Sequence, residues 1–545
     1  ILTEMKIKLF IASLLIAGAA LSSMAQGYKD GIEYYKVGQL DNAKELIERN
    51  LTNASNKAEA YFYLGQIALK QNNAAEAKAA FDKGVAADAN YPYNYVGQAQ
   101  IALKNGEQPK ALLETARKLS KKDAALETAI ARAYYSVDPT KYAKDIDKCV
   151  KQARKWTEKK PQPESFIFEG DTYADKQDYG KAAGLYELAY TYDPDNIEAR
   201  VKWANTYYFV NPQMALQHLE DLNAQRPNSA LVQRQLAEKY YESNLGGKAA
   251  EKYGEYIKNP NHFNQDEVRY VQLLFFGEKY QESYDLATSL ISKLDASDPN
   301  KFYMERMKLY NKVAQKDWHA AVAAGDEFFA MSKPATATYE VKDYTDYAQA
   351  LQQVGQPAKA IEAFEKAVEL NPKNVDLLRN LSDTYAEAKN YAKSASTYQK
   401  VIDSGDFKAN DLYELGKCYY NLAVTTENAS ERDHAIVQGR KYLHEVNEKV
   451  PGNVRIVNQI ARLERLTEGD KATGKAAPAY HELVKLLDSK DNKSDYASYY
   501  ISAFNYLANA AMNNNDLETA KAYYKQWLEH DPENADLRKY VESFK

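Results

Sequence analysis

Residues 341–374, VKDYTDYAQALQQVGQPAKAIEAFEKAVELNPKN, constrain the fold more than any other stretch, because one structural unit is written out in full within 34 residues. Tyr344, Tyr347, Ala348 and Leu351 fall at i, i+3, i+4 and i+7, which makes one apolar stripe on a helix over about 341–354. Gly355-Gln356-Pro357 breaks that helix and opens another, since Gly frees the backbone and Pro suits a first helical turn. Ala360, Ile361, Phe364, Ala367 and Val368 share one face of the second helix. Asn371-Pro372 stops it, because Pro lacks a backbone donor and restricts the residue before it. Small residues at 348, 360 and 367 let the helices approach, and Leu351 and Phe364 fill the space between them. Two helices this short cannot cover their own apolar faces, so the unit needs a neighbour on each side.

Those neighbours are present. Leu381-Ser382, Tyr385 and Tyr398 restate the pattern one period on, and Leu415-Gly416 with Tyr419 restate it again; Ala348, Ser382 and Gly416 stand 34 apart. A small residue in the first helix, Ala and an aromatic in the second, and a closing Pro resemble the tetratricopeptide repeat (TPR). The resemblance implies an all-α, right-handed superhelical solenoid of helix-turn-helix units that binds proteins and is not an enzyme. It also implies that first helices line a concave groove. In the best units the inward polar positions are then Thr345, Gln349, Arg379, Asp383, Tyr413 and Lys417, the candidate partner-binding groove. The family's two-Lys, two-Asn clamp for acidic C-terminal peptides is not matched at these positions, so chaperone-tail binding is not expected.

Residues 1–25 read as a targeting segment. Met5-Lys6-Ile7-Lys8 gives a positive start, Leu9 to Leu21 an apolar run, and Ser23-Met24-Ala25 a small-x-small cleavage pattern ending at Ala25. The run is short for a bilayer span, and no Cys follows it to carry a lipid. We therefore expect an exported, periplasmic protein, peripheral to the outer membrane if it touches it, with no transmembrane segment in the mature chain. The exported, repeat-built style with 45 tyrosines is similar to proteins of the Bacteroidetes envelope.

The expected organisation is an N-terminal array over 26–263, divergent helical repeats with a bend over 264–340, and a C-terminal array over 341–534. A capping helix over 535–545 carries Leu537, Tyr540, Val541 and Phe544 on one stripe. About 12 to 14 units fit the length. Within 264–340, Glu278-Lys279-Tyr280 and Lys316-Asp317-Trp318 mark the entry to two second helices. After Gly416 the period lengthens, and two loop-like insertions, 425–433 and 468–478, account for it.

A formal charge of −5 argues against a nucleic-acid partner. None of the seven histidines forms H-E-x-x-H or pairs with Cys at zinc spacing, and there is no phosphate loop or nucleophile elbow. No catalytic residue, cofactor or metal ligand is expected. Cys149 and Cys418 lie beside apolar residues in helical patterns and read as small buried side chains. Lys141, Lys144, Lys148, Lys151, Lys155 and Lys159 recur at steps of three and four, a basic stripe opposite Tyr142, Ile146, Cys149, Val150 and Ala153. It is either a solvated outer face or a dock for an acidic partner or anionic lipid. The function these features point to is a protein-binding scaffold of the cell envelope, with partners in outer-membrane assembly or secretion. The alternative is a glycan- or peptidoglycan-binding module that uses groove tyrosines.

Overall fold

The computed structural model describes residues 27–158, 162–295 and 297–543. The expected targeting segment 1–25, Lys159 of the basic stripe and Phe544 of the last helix lie outside the described residues. Among the described residues all regular structure is helical, in fourteen successive helix pairs and a closing helix. The reference unit folds as Val341–Gln353 and Pro357–Leu370, joined by Gly355 at φ +73°.

The turn inside each pair explains the period. A left-handed residue recurs at Gly38, Asn72 and Gly106, at Asn244 and Glu278, and at Gly355 and Lys389, each 34 after the last in its run. Glycine adopts this conformation freely, whereas a Cβ resists it. The pairs pack through small residues. Phe81, fully buried, lies between Gly65 and Gly97, and a Cβ on either glycine would stand 2.3 Å from its ring. In the reference unit Ala348, Ala363 and Phe364 share a cluster with Leu381 and Tyr385 of the next pair.

The contacts divide the chain into two compact units, one ending at Lys293 and one beginning at Leu294. Eight pairs belong to the first and six to the second. Residues 264–340 hold two pairs, Asp266–Phe276 with Tyr280–Lys293 and Pro299–Ala314 with Trp318–Ala330, whose second helices begin at Tyr280 and Trp318. In the first unit one apolar cluster joins Tyr28, Ile32 and Tyr34 of helix 27–36 to Leu236, Phe263 and Leu273. At the other end, Leu537 of the closing helix Ala535–Ser543 packs with Ala508, Ala520 and Tyr524.

The structure corrects one expected insertion. Residues 425–433 are not a loop: helix Ala409–Thr425 extends to 17 residues and Ala429–Lys449 to 21, with three residues between them. The Asn428 side chain caps the second helix by accepting the Glu431 amide, so Ala429-Ser430-Glu431-Arg432 become its first turn. The other insertion is an ordered loop between Glu468 and helix Ala477–Asp488, in which the Glu468 carboxylate accepts the Thr473 amide at 2.6 Å.

Candidate partner-binding faces

First helices Val341–Gln353, Val375–Glu387 and Ala409–Thr425 carry the candidate groove. Two of them are pinned at their start by an aspartate that accepts the amide three residues back: Asp343 from Glu340 and Asp411 from Lys408, each at 2.7 Å. These aspartates also receive an arginine from the preceding pair. Arg379 Nε and Nη2 reach Asp411 at 2.9 and 2.8 Å, and Arg306 Nη2 reaches Asp343 at 2.9 Å. In the first unit, Arg234 Nε meets Asp266 at 2.8 Å in the same way. Two parallel charge-assisted bonds fix the spacing of successive first helices.

The structure thus gives the six groove candidates different roles. Arg379 is engaged: besides Asp411 it donates to Asp376 at 2.7 Å and to the Asp406 carbonyl at 3.2 Å. Thr345 donates its hydroxyl to the Val341 carbonyl at 2.6 Å, whereas Gln349 is exposed. Asp383 accepts the Tyr398 hydroxyl at 3.0 Å, and burial lifts its carboxyl above the usual range. Lys417 donates to Glu414 at 2.7 Å; burial works against its charge, but Glu414 outweighs it and holds the ammonium above its ordinary value. Tyr413 lies under the Arg455 guanidinium, 5.2 Å from its centre, and the two line a cavity of about 210 Å³ with Val446, Val450 and Ile456. Arg379, Asp383, Tyr413 and Lys417 therefore share adjoining helices, while Thr345 and Gln349 stand one pair earlier, joined to them by Gln352, which donates to Thr384 at 2.9 Å.

Sequence reasoning missed Gln352, Asp411 and Arg455. A signal for the clamp was available, since Arg234 and Asp266, like Arg379 and Asp411, stand 32 residues apart. A second cavity, about 320 Å³, lies against the segment 331–340 and is lined by Lys333, Tyr339, Tyr344, Lys366 and Leu370.

The first unit has a polar inner ladder. Arg132 and Lys202 both donate to Asp171 at 2.7 Å, and Tyr186 adds its hydroxyl at 2.9 Å. Lys202 also meets Glu198 at 2.9 Å, and Lys36 stands 3.6 Å from that carboxylate. Burial alone would raise the Asp171 carboxyl, but Arg132 and Lys202 hold it below its ordinary value. Lys70 rests over the Tyr35 ring at 5.0 Å; burial, with Lys202 and Arg132 nearby, pushes its ammonium down.

The basic stripe sits on a second helix, Ala143–Thr157, with Lys144, Lys148, Lys151 and Lys155 exposed and Cys149 and Ala153 buried beneath. Lys141, also exposed, precedes that helix and lies over the Tyr142 ring at 5.0 Å, and Lys151 pairs with Asp147 at 2.7 Å. Cys149 and Cys418 are both free and buried, and burial pushes their thiols up to about 12 and about 11.

Two family models, each described as tetratricopeptide repeat, match the chain, one over residues 28–92 and 346–409 and the other over 501–534. The chain carries tetratricopeptide repeats. A curated relative, the Hsp70-Hsp90 organising protein of Plasmodium falciparum (isolate 3D7), is 27% identical over 169 residues, 31% of this chain. The match spans only 25% of that relative's length. Among solved structures, the C-terminal part of a TPR repeat-containing protein from Cytophaga hutchinsonii is 21% identical, with 51% of this chain and 99% of that one covered and a TM-score of 0.38. The P58(IPK) TPR domain is 14% identical, with 74% and 99% covered and a TM-score of 0.29. Among the described residues no helix is long and apolar enough to cross a membrane, and no group of three His, Cys, Asp or Glu could hold a metal ion.

Proposed function

We propose that this TPR protein is a non-enzymatic scaffold of the bacterial cell envelope that holds partner proteins or peptides on the first-helix faces of its C-terminal unit, in outer-membrane assembly or secretion. The observation that carries the reading is the strip from Gln349 to Lys417. Its arginine and Asp411 are spent on holding helices at fixed spacing, while Gln349, Tyr413 and the cavity beneath Arg455 offer contact groups along it. The acids speak for binding over catalysis: Asp411 is neutralised by Arg379, Asp383 bonds Tyr398, and Glu414 is paired with Lys417. None stands as a free carboxyl pair of the kind glycoside hydrolysis requires. Export to the periplasm, with cleavage after Ala25, rests on the charged start and apolar run of residues 5–25. The relative's organising role supports a scaffold in general terms, and the unmatched clamp separates this groove from chaperone-tail binding.

The test is capture by a photo-crosslinking residue at Gln349 or Tyr413 in intact cells. A reproducible envelope protein bound from these positions, and not from Lys359 on the second helix, supports the reading. The cavity at Tyr339 and Tyr344 gives the glycan alternative a place, since aromatic faces stack on sugar rings. Retention on purified peptidoglycan that is abolished by Tyr344→Ala would favour it over the scaffold.

A further inference from the structure

The first helix pair of the N-terminal unit makes two sets of contacts. Helix 27–36 stacks on the second pair as any repeat does: Tyr28 donates to Glu59 at 3.0 Å, and the Tyr35 and Tyr63 rings meet edge-on at 5.1 Å. The same pair also reaches residues some two hundred positions further along. Asn261 Nδ2 donates to Asp30 at 2.7 Å, the Ser229 hydroxyl to Glu33 at 2.8 Å, Arg234 to Gln39 at 3.0 Å, and Arg49 to the His262 carbonyl at 3.3 Å. The fully buried rings of Tyr34 and Phe263 meet edge-on at 5.3 Å. In an open array each pair touches only its neighbours. Here one pair bridges the second pair and the seventh, and the unit closes on itself.

We propose that this first pair is a proton-controlled latch, which holds the N-terminal unit closed while Asp30 and Glu33 are protonated and loosens as they ionise. The joint is built for that response. Each carboxyl meets one neutral donor across it, Asn261 or Ser229, and among the described residues neither forms an ion pair; Arg226 and Lys36 act on Glu33 only from beyond ion-pair distance. The charged groups around them are otherwise engaged. Arg234 is bound to Asp266, Arg226 stands 3.4 Å from Asp195, Lys36 3.6 Å from Glu198, and Arg49 3.7 Å from Glu45. His262 holds the Asn259 carbonyl through Nδ1 at 2.7 Å. Asp30 and Glu33 lie one helical turn apart, so ionising both adds repulsion.

Burial pushes the Asp30 carboxyl up to about 6, against the bond from Asn261. Burial and then the Asp30 charge push Glu33 up to about 7, against Ser229, Lys36 and Arg226. A carboxyl released from the joint returns to its ordinary value near 4, so between about pH 4 and 7 the latched form binds more protons than the open one. Closure is then fully favoured below about pH 4, weakens as pH rises through that window, and changes no further above about 7. Opening parts Lys36 from Glu198, the carboxylate that Lys202 of the Arg132–Asp171–Lys202 ladder also holds.

Amide hydrogen exchange on the full chain tests this without a partner, so its outcome is independent of the scaffold reading. After correction for intrinsic rates, segments 27–50 and 259–263 should open at least about tenfold more at pH 8 than at pH 5, with helix Val375–Glu387 unchanged. Asp30→Asn with Glu33→Gln should keep both segments protected at both values. Asn261→Asp, which sets a carboxylate against Asp30, should loosen them further at pH 8. Equal protection of the native chain at both values, or an unchanged pH response in the double variant, would overturn the latch.

Discussion

At the scale of single residues, the clamps between pairs matter most. Asp343 is fully buried and Arg306 is 7% exposed, and Tyr310 donates to the same aspartate at 2.7 Å. Removing the guanidinium leaves a buried carboxylate without its cation, so Arg306→Ala should cost about 3–5 kcal/mol in urea unfolding of the C-terminal unit. The Arg379 side chain is 19% exposed, and Arg379→Ala should cost less, about 1–2 kcal/mol. Lys389 holds φ +60° where the reference unit has Gly355, so Lys389→Gly should stabilise by up to about 1 kcal/mol in the same measurement. His218 responds to pH in the opposite sense to the latch. Burial, helped by Arg200, lowers its imidazole to about 4, and Arg200 Nε donates to its Nε2 at 3.2 Å, a bond that only the neutral ring accepts. The unfolded chain therefore binds the extra proton, and this contribution is present above about pH 6.5 and lost as pH falls towards 4. His218→Gln should flatten that part of the N-terminal unit's stability profile.

At the scale of helices, most of the structure was legible because it is periodic. The unit 341–374 carries its own stripe, breaker and stop, and the helices begin and end where those residues stand. The Phe81 wedge follows the same rule, and Gly97→Ala should cost about 1–3 kcal/mol in thermal or urea unfolding, because its Cβ would lie 2.3 Å from a ring with no room to turn. Residues 425–433 misled because polar and small residues serve equally as loop or as helix surface; the Asn428 cap decided between them, and it shows only once the amide it accepts is in place. What each groove candidate touches was not legible in the spacing. That Arg379 would turn to Asp411, and not to a partner, depends on how close two helices from different pairs come.

At the scale of the molecule, the fourteen pairs among the described residues lie within the 12 to 14 that the period and the chain length imply, but closure of the first unit has no periodic signal. Tyr34 and Phe263 meet across most of that unit, and nothing in the spacing of either residue announces the other. The proposed scaffold role puts partner binding on the C-terminal first helices, where Gln349 and Tyr413 offer contact groups. The most direct test places one photo-crosslinking residue at a time at Gln349, Tyr413 and Lys417, and at Lys359 and Lys393 on second helices, in cells of the native host. The account predicts one reproducible envelope protein from the first three positions and none from the other two. The same protein captured equally from both sets, or no protein from the first set, would contradict it.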